Sequence, residues 1–451
     1  MDYRQALDHV LGFANFEISS SKDLRYRDFN LTLLKELLDL VGNPHLAYPT
    51  VHIAGSKGKG STAAMVASVA RAAGLTTGLY TSPHLHTVRE RIQVDGEMIS
   101  EAAFAEGVEA LLPRIAQVNT SDAWGRLSTF EVLTALGFSH LANRHVDVGV
   151  IEVGLGGRLD ATSVVSPTVS VITSLSLDHM EVLGSTLGQI AAEKAAIIAP
   201  GVPVVSAPQQ PEALEVVARA ADRAQAPLML LGRDVEWNRR LEEGCHVVEV
   251  ATSTSNYELR LPLDGGHQAE NAALAVSACE RLAETGIAIG RDAIEEGIAN
   301  VKWPARMETI CGVTPIVVDG AHNPYSAACF REAFLERFPD SGVVLVFGAN
   351  RNKNLKGMVE ELVMLTDRVI VTRSRHPKSA PTHDILAVFS ECGVTGYEAG
   401  TVSEALTKAR SFARQGEVIA ATGSLFVAAE AREQILAIKP EIYPGWAPGM
   451  V

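Results

Sequence analysis

The run Gly55-Ser56-Lys57-Gly58-Lys59-Gly60-Ser61-Thr62 sets two lysines and two adjacent hydroxyls among glycines, after a β-branched stretch and before a helical one. Backbone N–H groups of such a turn, with the positive end of the following helix, make an anion cradle, and glycines let the chain come close to phosphate. Lys59 can then reach the β- and γ-phosphates of a nucleotide, while Ser61 or Thr62 offers a hydroxyl toward Mg²⁺. ATP is therefore expected on Gly58, Lys59, Gly60, Ser61 and Thr62, with Lys59 also a catalytic cation. The usual Walker spacing fails, because Ile53 stands where the first glycine belongs and Gly60 separates the lysine from the hydroxyl. A plain Gly-Lys surface turn is the alternative, and the strand before and helix after weigh against it.

Ser82, Glu152 and His179 each fall at or just beyond the carboxyl end of a predicted strand, so they can converge where phosphates would lie. Mixed oxygen and nitrogen ligation there suits a metal that also holds waters and phosphate oxygens. Singly, each has a plainer reading: His179 as a core histidine, Glu152 as a capping carboxylate, Ser82 as a turn residue. Lys194 shares a predicted helix with Ile190, Ile197 and Ile198, where a lysine ordinarily snorkels to solvent. Ser128 and Glu131 form a capping box ahead of an apolar run.

The elements that must position these groups alternate. Helical spacing over Phe29 to Val41 ends at Gly42-Asn43-Pro44, and strands follow at Thr50 to Ala54, Thr76 to Thr81, Val146 to Val153, Thr168 to Thr173 and Pro203 to Ser206. Helices predicted at Thr62 to Ala73, Ser128 to Asn143 and Thr186 to Ile198 separate them, which implies a parallel sheet covered on both faces. Asp95-Gly96 between Arg91 to Val94 and Glu97 to Ser100 predicts a two-residue hairpin, read as an excursion from that sheet. His246 to Leu263 predicts a small antiparallel piece before a helix over His267 to Glu284. From Pro315 to Leu436 strand and helix alternate afresh, and Trp303-Pro304 and Thr314-Pro315 mark the break. The expected architecture is α/β: residues 1–300 a phosphate-loop domain on a mostly parallel sheet, residues 301–451 a smaller Rossmann-like domain.

Composition bounds the chemistry. A chain of 451 residues with 47% hydrophobic and 20% charged residues supplies two cores. A net charge of −14 argues against a nucleic-acid partner. The five cysteines, Cys245, Cys279, Cys311, Cys329 and Cys392, contain no CxxC and read as buried thiols. No basic leader with an apolar run opens the sequence, and no stretch approaches the roughly 20 apolar residues a bilayer demands, so a cytoplasmic protein without a membrane partner is expected.

The shortened loop resembles that of the Mur ligase superfamily, and its glycine after the lysine resembles the folylpolyglutamate synthase and dihydrofolate synthase branch. Tyr80-Thr81-Ser82-Pro83-His84-Leu85 with Arg89-Glu90-Arg91-Ile92, Glu152 through Thr162, Ser176-Leu177-Asp178-His179 with Glu193-Lys194-Ala195, Trp303-Pro304-Ala305-Arg306-Met307-Glu308 and Asp319-Gly320-Ala321-His322-Asn323-Pro324 match that family in order. The resemblance implies Mg²⁺ on Ser82, Glu152 and His179, and a carbamylated Lys194, which turns a cation into a carboxylate. It also implies a pterin on Thr129, Phe130, Glu131, Leu159 and Asp160, adenine at Gln268 and Asn271, and Arg306, Asp319 and His322 facing the phosphates, with Lys59, Lys194 and His322 catalytic. ATP, glutamate and a reduced folate or dihydropteroate would be the substrates, joined through an acyl phosphate by a monomeric enzyme. Ala196 and Ala305 replace family glycines, and their added methyls are expected near the active site. A cell-wall Mur ligase is the rival; those proteins usually carry a further N-terminal domain, whereas here the phosphate loop begins at residue 55. A nucleotide-binding protein without turnover is the other rival, and it predicts loss of Lys194, Glu152 or His179, all present.

Overall fold

The computed structural model describes residues 1–14, 30–119, 126–242 and 244–443. Eight strands form the first sheet: β1 Thr50–Ala54, β2 Thr77–Tyr80, β3 Ile92–Val94, β4 Glu97–Met98, β5 Val148–Glu152, β6 Val169–Ile172, β7 Val204–Ser206 and β8 Leu228–Leu230. Their order is β4-β3-β2-β5-β1-β6-β7-β8. From β2 to β8 neighbours run parallel, and β1, flanked by β5 and β6, is buried along its whole length. Val51 and Ile53 make one face apolar, while on the other His52 is buried against the Thr162 hydroxyl (3.0 Å) beside Ala54.

The hairpin forms where expected, with Asp95 and Gly96 both at positive φ (54° and 83°), as its two-residue turn requires. It is no excursion, however: β3 pairs antiparallel with β2 and extends the main sheet. Glu236–Glu242, Cys245–Ala251 and Asn256–Leu261 (β9 to β11) form the antiparallel piece, which has one strand more than the sequence suggested. The third sheet comprises β12 Glu308–Ile310, β13 Ile316–Val318, β14 Val343–Phe347, β15 Arg368–Val371, β16 Thr395–Glu398 and β17 Val418–Thr422, in the order β12-β13-β17-β14-β15-β16. It is parallel except at β12.

The helix expected from Phe29 begins at Thr32, and Phe29 itself lies outside the described residues. Among the cysteines only Cys279 is buried, while Cys311 is exposed, so the set is not a group of core thiols. Among the described residues no helix is long and apolar enough to cross a membrane.

Candidate active site

A cleft of about 2640 Å³ opens at the carboxyl edge of the first sheet and is closed on its far side by residues of the third. Ser56 to Ser61, Ser82, Glu152, Asp178 and His179 line one wall, and Arg306, Asp319, His322 and Lys353 the other. The phosphate loop is held against β6 by the Ser174 carbonyl, which accepts from the amides of Ser56 (2.9 Å) and Lys57 (3.1 Å). Those two amides are thus committed to the protein. The helix begins earlier than the sequence suggested, at Lys59, so the anion-binding groups are the unpaired N–H groups of its first turn.

Two glycines of this loop answer to their neighbours. Gly58 has φ 90°, and a Cβ there would lie 2.2 Å from Asn271 Oδ1. A Cβ on Gly60 would lie 2.9 Å from the Trp303 ring, so the residue that breaks the Walker spacing makes room for the indole. Of the two candidate hydroxyls, Ser61 lines the cleft. Thr62 is fully buried, and its hydroxyl donates to Asn271 Oδ1 (3.4 Å), so it supports the helix Gly266–Ala283 rather than facing the cleft.

Lys57 and Lys353 were not singled out from the sequence. Lys57 Nζ donates to Asp178 Oδ2 (2.7 Å) and approaches His322 Nε2 (3.2 Å), and Lys353 lies 3.8 Å from Asp178. Burial pulls Lys57 down to about 8 despite Asp178, whereas Asp178, which burial alone would raise, is held well below the carboxylate range by Lys57, His179 and Lys353. The opposed directions agree on an ionised carboxylate bonded to Lys57, with Lys353 close by. His322 Nδ1–H donates to the Gly320 carbonyl (2.9 Å), which leaves Nε2 to accept from Lys57. Burial and the two lysines keep this imidazole neutral. A lysine two positions before Lys59 was the only local hint; Lys353 and Asp178 meet solely through the fold.

The Ser82 N–H donates to Glu152 Oε2 (3.0 Å), which joins two of the three expected metal positions. Burial pushes the Glu152 carboxyl up against the pull of Lys59, and a bound cation would relieve that cost. His179, half-exposed at the cleft, is lowered to about 4 by the surrounding protein and the three lysines against Asp178, so its nitrogen is free of a proton. Among the described residues no three His, Cys, Asp or Glu side chains gather as a cation cage. A hard cation beside Ser82 and Glu152 would complete its shell largely with water and phosphate.

Lys194 is 4% exposed, beneath the phosphate loop rather than in the cleft, and its Nζ donates to the Gly55 carbonyl (2.8 Å). Burial first, then Lys59, lowers it to about 7. It does not snorkel.

All five pterin candidates line the cleft, and they divide by what else their side chains hold. Phe130 and Leu159 bring apolar side chains to it. The Thr129 hydroxyl donates to the Val10 and Phe13 carbonyls (3.1 Å each) and ties down the N-terminal segment. Glu131 closes the capping box with Ser128. Asp160 accepts from Leu155 N–H (2.7 Å) and Thr162 N–H (3.0 Å), which shapes the loop after β5. Arg306 lies against Gly320, and Asp319 accepts from the amides of Met307 (2.9 Å) and Ala321 (2.8 Å). Burial raises the Asp319 carboxyl and Arg306 opposes it. The expected methyls do not reach the cleft: Ala196 is exposed elsewhere, and Ala305, at φ 56°, packs into the core against β13 and β17. The backbone at 305 is left-handed, a conformation glycine adopts more easily than alanine.

Residues 53–279 match the family profile for the Mur ligase middle domain, and residues 305–425 that for the Mur ligase glutamate ligase domain. A dihydrofolate synthase/folylpolyglutamate synthase of Bacillus subtilis is 33% identical over 415 residues, covering 89% of this chain and 94% of its own. One of Mycobacterium tuberculosis is 36% identical over 370 residues (78% and 76%). Among solved structures, M. tuberculosis folylpolyglutamate synthase complexed with ADP superposes with a TM-score of 0.88 at 32% identity, covering 98% of this chain and 100% of that one. A structure described as an FPGS-AMPPCP-folate complex gives 0.82 at 31% identity, covering 97% and 100%. With both profiles matched in order around one cleft, the chain belongs to the Mur ligase family, in its folylpolyglutamate synthase and dihydrofolate synthase branch.

Proposed function

We propose that this chain is an ATP-dependent ligase that adds L-glutamate to a folate, and that dihydropteroate is a second carboxylate substrate. The observation that carries the reading is the facing of Lys59 and the first-turn amides, on one wall, by Arg306, Asp319 and His322 on the other. We also take the chain to divide near residue 301 and to work as a monomer; separate sheets on either side of Trp303 support the division.

The carboxylate oxygen of the substrate attacks the γ-phosphorus of ATP, the bond to the β-γ bridging oxygen breaks, and ADP leaves. Lys59 and Arg306 neutralise the charge that develops on the transferred group. The glutamate amine, once deprotonated, attacks the acyl carbon, and the C–O bond to phosphate breaks to give the amide and inorganic phosphate. His322 Nε2, which accepts from Lys57, holds that lysine at the cleft wall. Mg²⁺ held by Ser82, Glu152 and His179 would supply further charge neutralisation at the phosphates. Phe130 and Leu159 give the apolar wall a pterin ring would use.

ADP release by purified protein with ATP and glutamate, compared between tetrahydrofolate and dihydropteroate, tests the assignment; release with neither substrate overturns it. For the cation, Glu152→Gln and His179→Ala are each expected to raise the Mg²⁺ concentration at half-maximal rate about tenfold, since water must replace a protein ligand. An unchanged Mg²⁺ titration in both variants would assign these residues to holding the loops alone.

A further inference from the structure

The loop that carries Ser82 is gripped from outside the cleft by the segment following the helix Leu425–Leu436. We propose that residues 437–443 are a strap that positions this loop for catalysis, with Glu441 as its anchor. The Glu441 carboxylate accepts from four donors: the Tyr3 hydroxyl (2.5 Å), the Val88 amide (3.1 Å), the Thr87 hydroxyl (3.2 Å) and the Tyr443 hydroxyl (2.6 Å). Its own amide donates to the His86 carbonyl (2.9 Å). One side chain thereby ties the end of the described chain to its first helix, Tyr3–Leu11, and to the loop after β2.

The bonds run in one direction. Arg91 Nε donates to His84 Nδ1 (2.9 Å), so His84 Nε2 carries the proton and donates to the Tyr443 oxygen (3.0 Å), and the Tyr443 hydroxyl in turn donates to Glu441. Every member has a consistent role, and such chains strengthen each link. Between these anchors the loop also docks on the third sheet's layer. Leu85 packs against the core cluster that contains Val427, Ala428 and Ala431, and His86 lies between Arg432 Nη1 (2.5 Å) and Glu433 Oε1 (3.2 Å). At the β2 end of the same loop is Ser82, whose amide donates to Glu152. Loop and strap also wall the cleft through Pro83, His84, Val88 and Tyr443. Two of the four donors to Glu441, Thr87 and Val88, lie on the loop that carries Ser82, and its own amide donates to the His86 carbonyl of that loop. Glu441 is thus a positioning residue, acting through Ser82; its catalytic consequence rests on the proposed ligase reading.

The test uses the full chain with Glu441→Ala and, as a milder change that keeps ring packing on His84, Tyr443→Phe. Glu441→Ala is expected to lower kcat about tenfold, with the KM for ATP within about twofold, because misplacement of a reacting group costs rate more than binding. Amide hydrogen exchange should accelerate over residues 82–91 and stay unchanged over the phosphate loop. Tyr443→Phe should show the same pattern, smaller in size. Wild-type kcat in both variants, exchange over 82–91 like that of the parent, or exchange accelerated evenly along the chain would each overturn the proposal. If Glu441→Ala does not fold, Tyr443→Phe decides by the same readings. Exchange is read without turnover, so failure of the strap and failure of the ligase assignment are told apart.

Discussion

Replacing Lys59 with alanine is expected to lower kcat/KM for ligation about a thousandfold, the loss typical of removing a preorganised group aimed at transition-state charge. Lys59 is the first residue of its helix, with its side chain in the cleft, and truncating it leaves Gly58 against Asn271 and Gly60 against Trp303 undisturbed. The fold should therefore persist, with a circular dichroism spectrum like that of the parent. Two other lysines, Lys57 and Lys353, also line the cleft. Both are engaged with Asp178, so neither is placed to take over. ADP release at the parental rate from the alanine variant would remove Lys59 from phosphoryl transfer.

The second large effect concerns Lys194, which we propose is carbamylated: its neutral amine adds to the carbon of CO₂ and a proton is released. The amine must be neutral to react, and burial supplies this, since a group lowered to about 7 is about half deprotonated at neutral pH. The resulting carbamate keeps one N–H for the Gly55 carbonyl and sets its negative charge near Lys59, where an ammonium is disfavoured. Lys194→Ala is then expected to lower turnover about a hundredfold, and a short carboxylate such as acetate should restore part of it by occupying the vacated anionic position. Rescue by small amines with none by carboxylates would mean that an unmodified cation acts here. Linkage gives an independent reading. The folded value lies below the free value of 10.5, so between about 7 and 10.5 the unfolded chain binds more protons, and this group makes stability rise with pH across that window. At a fixed concentration of dissolved CO₂, reactivation of CO₂-depleted enzyme should be faster at pH 8 than at pH 6, because more of the amine is neutral.

Much of this was legible in the residues, for reasons that can be named. Val148–Glu152 is apolar on both faces because a central parallel strand is covered twice, and Asp95-Gly96 is the pair that tolerates positive φ twice over. The helix Glu101–Val118 gave no reading, as Pro113 interrupts its pattern; nor did β9, whose Glu-Trp-Asn-Arg-Arg-Leu-Glu is mostly polar on the edge of a small sheet. At the site, residues with a motif around them were found, and residues defined by distant partners were not. Lys57, Lys353 and Asp178 meet across the cleft, and Glu441 meets Tyr3 across nearly the whole chain. Thr62 and Asp160 had the right neighbours in sequence, but their polar atoms serve the protein's own backbone and side chains.

The indole packed on Gly60 has a consequence for how such chains are recognised. A pattern that demands a hydroxyl residue directly after the lysine rejects this one, although the loop does the same work. Any side chain at position 60 would collide with Trp303, and a smaller residue at 303 would leave a hole over the glycine. The two positions should therefore covary, changing together through descent or not at all, and the diagnostic unit is the glycine and the distant tryptophan read as a pair.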